Sequence, residues 1–199
     1  MNRPRVVLFD LGNVLVHFRP ERFWEALGEN DVGRRQRVGT ELKAMGRGYE
    51  AGTMTTEEFR RELVRMVGQD HTPALIAQAF LSVLPAPVEG LDEIVRSTAE
   101  RVGTALVSNT SPLHFEHCLR TVPALRHLQR FYLSYRLKAL KPDPVFYRGV
   151  IEGEAIDPGD IVFIDDIPEN IRCAEESGMN GILFTTPVHL EQSLRRLGL

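Results

Sequence analysis

The chain has 199 residues, of which 43% are hydrophobic and 26% are charged, and its formal net charge is -3. This composition is ordinary for a globular enzyme with one large domain or one domain that carries an insertion. The small negative charge excludes an electrostatic argument for nucleic acid or an anionic membrane surface as a partner. The two cysteines, Cys118 and Cys173, lie in helical patterns and are predicted to be free, buried thiols.

Apolar segments of the chain are short. None approaches the ~20 residues that a bilayer-spanning helix needs, and the residues before the first strand lack the pattern of a secretory leader. We therefore expect a cytoplasmic protein without membrane partners.

The first predicted element is a strand over residues 5–9, a mostly apolar run that ends at Asp10. Gly12 and Asn13 follow and predict a turn. In an open α/β sheet, ligands bind just beyond the carboxyl ends of the strands. Asp10 is therefore a candidate nucleophile or metal ligand.

A block of helical pattern without a strand follows the first strand. Its four helices are predicted to begin near Pro20, Arg34, Thr56 and Pro73, and the second is predicted to end near Met45. Thr55 with Glu58 forms a predicted capping box before the third. We interpret residues 17–85 as an all-α cap of four helices. Residues 1–16 and 86–199 would then form the core domain.

Beyond the cap, strands and helices alternate. Strands are predicted over 104–107, 130–133, 160–164 and 181–184, and helices over 88–102, 112–121, 144–153, 168–177 and 188–197. Such alternation predicts an α/β fold, a parallel sheet with helices on both faces.

Polar residues follow three of the predicted strands. They are Asp10, Ser108 with Asn109, and Asp165 with Asp166. Lys141 lies just before a helix and could reach the same edge. Several polar strand ends at one edge of a parallel sheet indicate a functional site.

The acids suit a magnesium ion. Magnesium prefers oxygen ligands and usually takes one or two carboxylates from the protein. Asp10 and Asp166 could supply them, and the backbone carbonyl of Gly12 could supply a third oxygen.

The remaining residues suit phosphoryl transfer beside that ion. Asp10 would attack the phosphorus as a carboxylate nucleophile. Ser108, Asn109 and Lys141 would hold the phosphate oxygens and offset their charge in the transition state.

Four segments in this order resemble the motifs of the haloacid dehalogenase-like hydrolases, most of which are magnesium-dependent phosphatases. They are FDLGNVL at 9–15, VSNT at 107–110, KP at 141–142 and FIDDIPEN at 163–170. The resemblance implies a Rossmann-like core, an inserted helical cap and a phospho-aspartyl intermediate on Asp10 that water hydrolyses. The substrate would then be a small phosphorylated metabolite.

Two groups of the family are especially similar to this chain: bacterial phosphatases of glucose 1-phosphate and the phosphatase domain of soluble epoxide hydrolases. The cap segment YEAGTMT at 49–55 also resembles the first group. This likeness implies that Glu50 contacts a substrate hydroxyl.

The chain departs from the family at Gly12, where most of these phosphatases carry an acid that protonates the leaving group. Such help is typically worth ~10²–10⁴ in rate. An anomeric oxygen leaves more readily than an ordinary alkoxide, so Gly12 favours a sugar 1-phosphate such as glucose 1-phosphate. His17 could replace the acid, although its position on the loop into the cap favours a structural role.

Two other functions stay open at this stage. A metal-independent 2-haloacid dehalogenase would also use Asp10, but the adjacent Asp165 and Asp166 favour a metal. A retired site that only binds a partner would explain Gly12. Asp165 could tune Asp166, bind the ion through water or cap a helix, and Asn170 could bond near Asp166 or Lys141 or face solvent.

Overall fold

The computed structural model describes residues 4–68 and 70–199. Residues 1–3 of the predicted core segment and residue 69 of the predicted cap lie outside this range. The strands are β1 (Val6–Phe9), β2 (Gly103–Ser108), β3 (Arg130–Leu133), β4 (Ile161–Asp165) and β5 (Asn180–Leu183). The helices are α1 (Glu21–Leu27), α2 (Val32–Glu50), α3 (Thr56–Val67), α4 (Pro73–Ser82), α5 (Leu91–Ala99), α6 (Pro112–Thr121), α7 (Ser134–Leu137), α8 (Pro144–Glu154), α9 (Pro168–Glu176) and α10 (Pro187–Arg196).

The strands of the described residues form one parallel sheet in the order β3-β2-β1-β4-β5. All four residues of β1 are buried, as expected for a central strand covered on both faces. Because β1 lies between β2 and β4, the carboxyl ends of these three strands adjoin. The predicted α/β fold is confirmed, and it brings Asp10, Ser108 and Asp165 to one edge.

Each face of the sheet has its own hydrophobic core. Val7 and Phe9 pack into a cluster that continues into the helices after β1 and includes Phe59. Leu8 packs on the opposite face in a second cluster with Phe163. This alternation along β1 follows from the two-residue period of a strand.

Helices α1 to α4 lie between β1 and α5, where the sequence predicts the cap. The two ends of this segment meet through backbone hydrogen bonds: the N–H of His17 donates to the carbonyl of Ala86 at 3.0 Å, and that of Val88 donates to Leu15 at 3.0 Å. Adjacent ends are what an insertion into the core requires. The exact division at residues 17–85 stays a prediction.

The capping box is present at α3: Thr55 Oγ1 accepts from the N–H of Glu58, and Glu58 accepts from the N–H of Thr55. Helix α2 is longer than predicted, since it runs from Val32 to Glu50 rather than from about 34 to 45. Gly46 and Gly48 lie beyond residue 45 and weaken the local helical signal there. The extension places Glu50 at the end of a helix.

Other differences are small. Helix α5 is shorter than the predicted 88–102, helix α7 was not predicted, and β4 ends one residue later than predicted, at Asp165. Both cysteines are buried and free. None of the described helices is both long enough and apolar enough to cross a membrane.

Candidate active site

Asp10 follows β1 and is held at the edge of the sheet. Its N–H donates to the carbonyl of Ile164 on β4 at 2.9 Å, which continues the pairing of the two strands by one residue. Its side chain meets Lys141, whose Nζ lies 2.6 Å from Oδ1 of Asp10. A buried carboxylate and a buried ammonium thus form an ion pair at the carboxyl end of the central strand.

Lys141 uses all three of its ammonium donors within the protein. Besides Asp10, Nζ contacts Oδ2 of Asp165 at 2.6 Å and the carbonyl of Val107 at 3.1 Å. The backbone of Lys141 is fixed as well, because both ends of the Asn109 amide bond to it at 2.8 and 2.9 Å. The Asn109 side chain therefore positions Lys141 in this structure. The backbone of Asn109, rather than its side chain, is left as the predicted contact for a substrate.

Asp165 is fully buried, and its oxygens are used by protein donors. Oδ1 accepts from the N–H of Ile167 at 2.9 Å, and Asn170 Nδ2 donates to both oxygens at 2.9 and 3.0 Å. Helix α9 begins without a side-chain cap, so Asp165 is not the N-cap that the sequence allowed. Asn170 bonds to Asp165 rather than to Asp166 or Lys141.

Asp166 is the more open acid of the adjacent pair. Its Oδ2 accepts from Asn13 Nδ2 at 3.1 Å, and the other end of that amide accepts from the N–H of Phe18 at 3.1 Å. Asn13 adopts a positive φ of 55°, a conformation that asparagine tolerates well. Asn13 thus serves the turn, as predicted, and also orients Asp166.

Carboxylate oxygens of Asp10, Asp165 and Asp166 lie within 4.8 Å of one another. Three acids face one ammonium here, and the protein donors around Asp165 leave Asp10 and Asp166 as the more available pair. Such a set of hard oxygen donors fits Mg²⁺. Gly12, the predicted carbonyl ligand, lines the same cavity.

Burial controls the ionisation of these groups. It raises the pKa of Asp10 to about 7, against the opposite effect of the Lys141 ammonium. Burial also raises the pKa of Asp166, while the hydrogen bond from Asn13 lowers it. For Lys141, burial lowers the pKa, but the carboxylates of Asp10 and Asp165 outweigh it and leave the pKa above its ordinary value. A bound divalent cation would favour the ionised carboxylates and offset the free-energy cost of burying their charge.

A cavity of about 170 Å³ opens above these residues. Side chains of the sheet edge and of the helices after β1 both line it. The lining residues include Asp10, Gly12, Phe18, Glu50, Ser108, Asn109, His114, Lys141 and Asp166. All the predicted site residues are therefore brought together around one cavity.

Glu50 is the last residue of α2. It is partly buried and lines this cavity. Burial raises the pKa of its carboxyl, while the nearby Arg47 lowers it. His17, the other candidate from the sequence, does not line the cavity; its backbone joins the two ends of the cap segment.

His114 is a cavity residue that the sequence did not single out. Its Nε2 lies 3.0 Å from the carbonyl of Phe80, and its ring stacks on Phe80 with centroids 4.1 Å apart. Burial lowers the pKa of His114 to about 4. We assign the proton of the neutral ring to Nε2, since a carbonyl can only accept. No sequence signal distinguishes this histidine from a core residue, because the carbonyl partner lies 34 positions away.

Residues 4–178 match the sequence model of the haloacid dehalogenase-like hydrolases. The chain belongs to this family. The resemblance drawn from the four motifs is thereby confirmed, as is the assignment of the chain as a hydrolase.

Two curated relatives of this hydrolase are named for a substrate. It is 44% identical over 151 residues to flavin mononucleotide hydrolase 1 of Arabidopsis thaliana, a match that covers 76% of this chain and 61% of that protein. The hydrolase thus spans less than two thirds of that relative. It is 26% identical over 182 residues to D-ribitol-5-phosphate phosphatase of Bacteroides thetaiotaomicron, covering 86% of this chain and 87% of the relative.

Solved structures share the fold. A haloacid dehalogenase family enzyme of Bacteroides thetaiotaomicron, crystallised with magnesium and inorganic phosphate, superposes with a TM-score of 0.82 at 26% identity over 92% of this chain and 95% of that one. The L-2-haloacid dehalogenase of Xanthobacter autotrophicus superposes with a TM-score of 0.62 at 14% identity over 96% of this chain and 88% of that one. The second likeness is one of fold alone.

Proposed function

We propose that this hydrolase is a Mg²⁺-dependent phosphatase of a small phosphate monoester that works through a phospho-Asp10 intermediate. The observation that carries the proposal is the buried carboxylate of Asp10 on the Lys141 ammonium, with Asp166 beside it in one cavity. The relative crystallised with magnesium and inorganic phosphate supports the same chemistry.

Asp10, Asp166 and the carbonyl of Gly12 would hold the magnesium ion, which when bound supplies charge to the phosphate oxygens. Lys141 bonds to Oδ1 of Asp10, which leaves Oδ2 as the attacking oxygen. Ser108 and the backbone of Asn109 bind the phosphate, and Lys141 favours the ionised form of Asp10 and orients it. Asn13 and Asn170 hold Asp166 and Asp165 in place.

The substrate we propose is a sugar or sugar-alcohol phosphate. The cavity of about 170 Å³ is smaller than the roughly 300–1,000 Å³ of sites that enclose drug-sized ligands. Gly12 favours an anomeric ester such as glucose 1-phosphate. The names of the two relatives favour another ester, because flavin mononucleotide and D-ribitol 5-phosphate both carry phosphate on the terminal carbon of a ribityl chain.

The test is phosphate release from glucose 1-phosphate, D-ribitol 5-phosphate and flavin mononucleotide, with Mg²⁺ and with EDTA. We expect turnover of at least one sugar or ribityl phosphate with Mg²⁺ and none with EDTA. Asp10→Asn keeps the side chain's shape but removes the nucleophile, and it should lower kcat/KM by about 10⁴-fold or more.

Asp70→Asn, which changes an exposed acid paired with Arg34, is the matched control and should behave as wild type. Chloride release from 2-chloropropionate in EDTA would instead favour the dehalogenase. Phosphate release that Asp10→Asn leaves unchanged would contradict the proposal, and a complete lack of turnover would favour the retired binding site.

A further inference from the structure

The proposed phosphatase lacks a proton donor at Gly12, and the reason is not a lack of space. A Cβ atom built on Gly12 would meet only the Cβ of Phe18, at 3.9 Å, an ordinary van der Waals distance. The backbone at Gly12 is also outside the positive-φ region that favours glycine. A Cβ atom would therefore fit here, so steric exclusion does not explain the glycine.

The titratable side chains around the cavity, within the part of the chain that the structure describes, are Asp10, Glu50, His114, Lys141 and Asp166. Asp10 and Asp166 are committed to attack and to the metal. Lys141 has spent its donors on Asp10, Asp165 and the carbonyl of Val107.

His114 also fails as an acid. The hydrogen on its Nε2 is held by the carbonyl of Phe80, and Nδ1 of the neutral ring carries no proton. With its pKa lowered to about 4 by burial, the ring has no proton to give at neutral pH. Glu50 is then the group that remains.

The position of Glu50 is fixed to the core. Ser134 Oγ, at the start of α7, lies 2.6 Å from the carbonyl of Glu50 and accepts from the N–H of Thr110 at 3.0 Å. Thr110 follows Ser108 and Asn109 directly, so one hydroxyl ties the end of α2 to the predicted phosphate-binding segment.

The next residues of the cap reinforce this anchor. Gly52 has a φ of 66°, and a Cβ atom there would lie 2.3 Å from the carbonyl of Tyr135. Only glycine permits that approach, which holds the turn after Glu50 against the segment that contains Ser134. The backbone that carries Glu50 is thus held against the core domain.

The Glu50 carboxyl itself is left available. Within the described residues it accepts no hydrogen bond and forms no ion pair, in contrast to Asp10, Asp165 and Asp166. An unengaged acid that lines the same cavity as a nucleophile is free to exchange a proton with a bound molecule.

Building on the proposed phosphatase function, we propose that Glu50 is its general acid and base, in place of the acid absent at Gly12. As Asp10 attacks, the P–O bond to the leaving group breaks, and the leaving oxygen takes the proton of the Glu50 carboxyl. The Glu50 carboxylate then takes a proton from water as that water attacks the phosphorus of phospho-Asp10. Hydrogen phosphate leaves, and both carboxyl groups return to their starting states.

The raised pKa of Glu50 agrees with this role, because an efficient acid has a pKa near the working pH. Arg47, on the same helix, is the charged group that acts on the Glu50 carboxyl, and Asp10, His114, Lys141 and Asp166 line the same cavity.

Phenyl phosphate and p-nitrophenyl phosphate test the role directly. Neither leaving group has a hydroxyl for Glu50 to bind beyond the ester oxygen, and p-nitrophenolate departs without much help. Glu50→Gln should lower kcat/KM for phenyl phosphate by about 10²-fold or more and should change it little for p-nitrophenyl phosphate. The largest fall in kcat/KM should be for D-ribitol 5-phosphate, whose leaving group is an alkoxide.

A second measurement follows the other half of the cycle. Glu50→Gln should release p-nitrophenol in a burst close to one equivalent per enzyme, because water attack on phospho-Asp10 has lost its base. Glu41→Gln, an exposed acid on the same helix, is the control and should show neither effect. Equal unfolding temperatures of the two variants would exclude a loss of folding.

Equal losses of kcat/KM for all three esters without a burst would overturn the proposal, as would a change in KM alone, which would assign Glu50 to hydroxyl binding. If the wild-type enzyme shows no Asp10-dependent phosphate release, the proposed function fails. If it does and Glu50→Gln treats all esters alike, only this inference fails.

Discussion

The two walls of the cavity are built differently. At the sheet edge every acid and amine is engaged: Lys141 has three partners, and Asp165 accepts from Lys141, Asn170 and Ile167. On the cap side, the Glu50 carboxyl has no partner within the described residues, and Phe18 is 42% exposed.

This difference separates two tasks. Groups that must stabilise the same charges in every turnover gain from being held before the substrate arrives. Groups that must exchange a proton or meet a particular leaving group need to stay free. The groups of the sheet edge are held in place, and the Glu50 carboxyl on the cap side is free. Substitutions on the two sides should therefore change stability and activity in different ways.

The largest loss of stability and activity should follow from Lys141→Met at the sheet edge. The substitution leaves the buried carboxylates of Asp10 and Asp165 without their cation. Removing one partner of a buried pair costs about 3–5 kcal/mol, and losing one preorganised cation should lower kcat by about 10²–10³-fold. Urea unfolding and steady-state kinetics measure the two losses.

Lys43→Met, at an exposed position of α2, is the matched control and should change neither quantity. If Lys141→Met unfolds at the same urea concentration as Lys43→Met, the ion pairs of Lys141 with Asp10 and Asp165 do not stabilise the folded state.

The sequence predicts which residues lie at the sheet edge better than it predicts the hydrogen bonds and ion pairs between them. Asp10 and Ser108 could be located because each ends an apolar run, and parallel strands must end at the same edge. Asp165 could not be assigned, because its role depends on one residue of strand register. Once Asp165 is the last residue of β4, it lies on the face of Phe163, where Lys141 also lies.

Long-range pairs were beyond the sequence for the same reason. Asn109 and Lys141 are 32 residues apart, and Asn13 and Asp166 are 153 apart, so no local pattern links them. Glu50 could be named only through its resemblance to a family segment, and His114 gave no signal at all. The roles of all these residues in turnover stay predictions until the variants are measured.

A smaller effect should follow from Asn13→Gly, which separates orientation from coordination at the sheet edge. Glycine accepts the positive φ of this position but removes the amide that bonds to Asp166. Loss of such a supporting bond typically costs 10–100-fold in metal affinity. We therefore expect the Mg²⁺ concentration for half-maximal activity to rise by about that factor, with kcat recovering at saturating Mg²⁺.

Asn30→Gly, at an exposed position in the loop before α2, is the control for an asparagine-to-glycine change. An unchanged Mg²⁺ requirement in Asn13→Gly would show that Asp166 needs no support from Asn13, and the sheet edge would be less preorganised than its hydrogen bonds indicate.

The smallest effect concerns His114, whose neutrality underlies the contrast between the walls. Its pKa is about 4 in the folded protein and near 6.5 in an unfolded chain, so between these values the unfolded state binds more protons. The contribution of His114 to the free energy of unfolding is therefore complete above pH 6.5. It is lost as the pH falls towards 4, by an amount of the order of 3 kcal/mol. His114→Gln keeps a donor for the Phe80 carbonyl but cannot titrate, so its free energy of unfolding should fall less than that of wild type between pH 7 and pH 4.5.

Urea unfolding at several pH values measures this difference, with His189→Gln, at an exposed position, as the matched control. Parallel stability curves for wild type and His114→Gln would mean that the imidazole has the same pKa in the folded and unfolded chain and is partly protonated near neutral pH. A charged His114 could donate a proton itself, and Glu50 would no longer be the one acid left on the cavity wall within the described residues. This stability measurement therefore tests whether His114 on helix α6 is excluded as a proton donor, as the assignment of Glu50 requires.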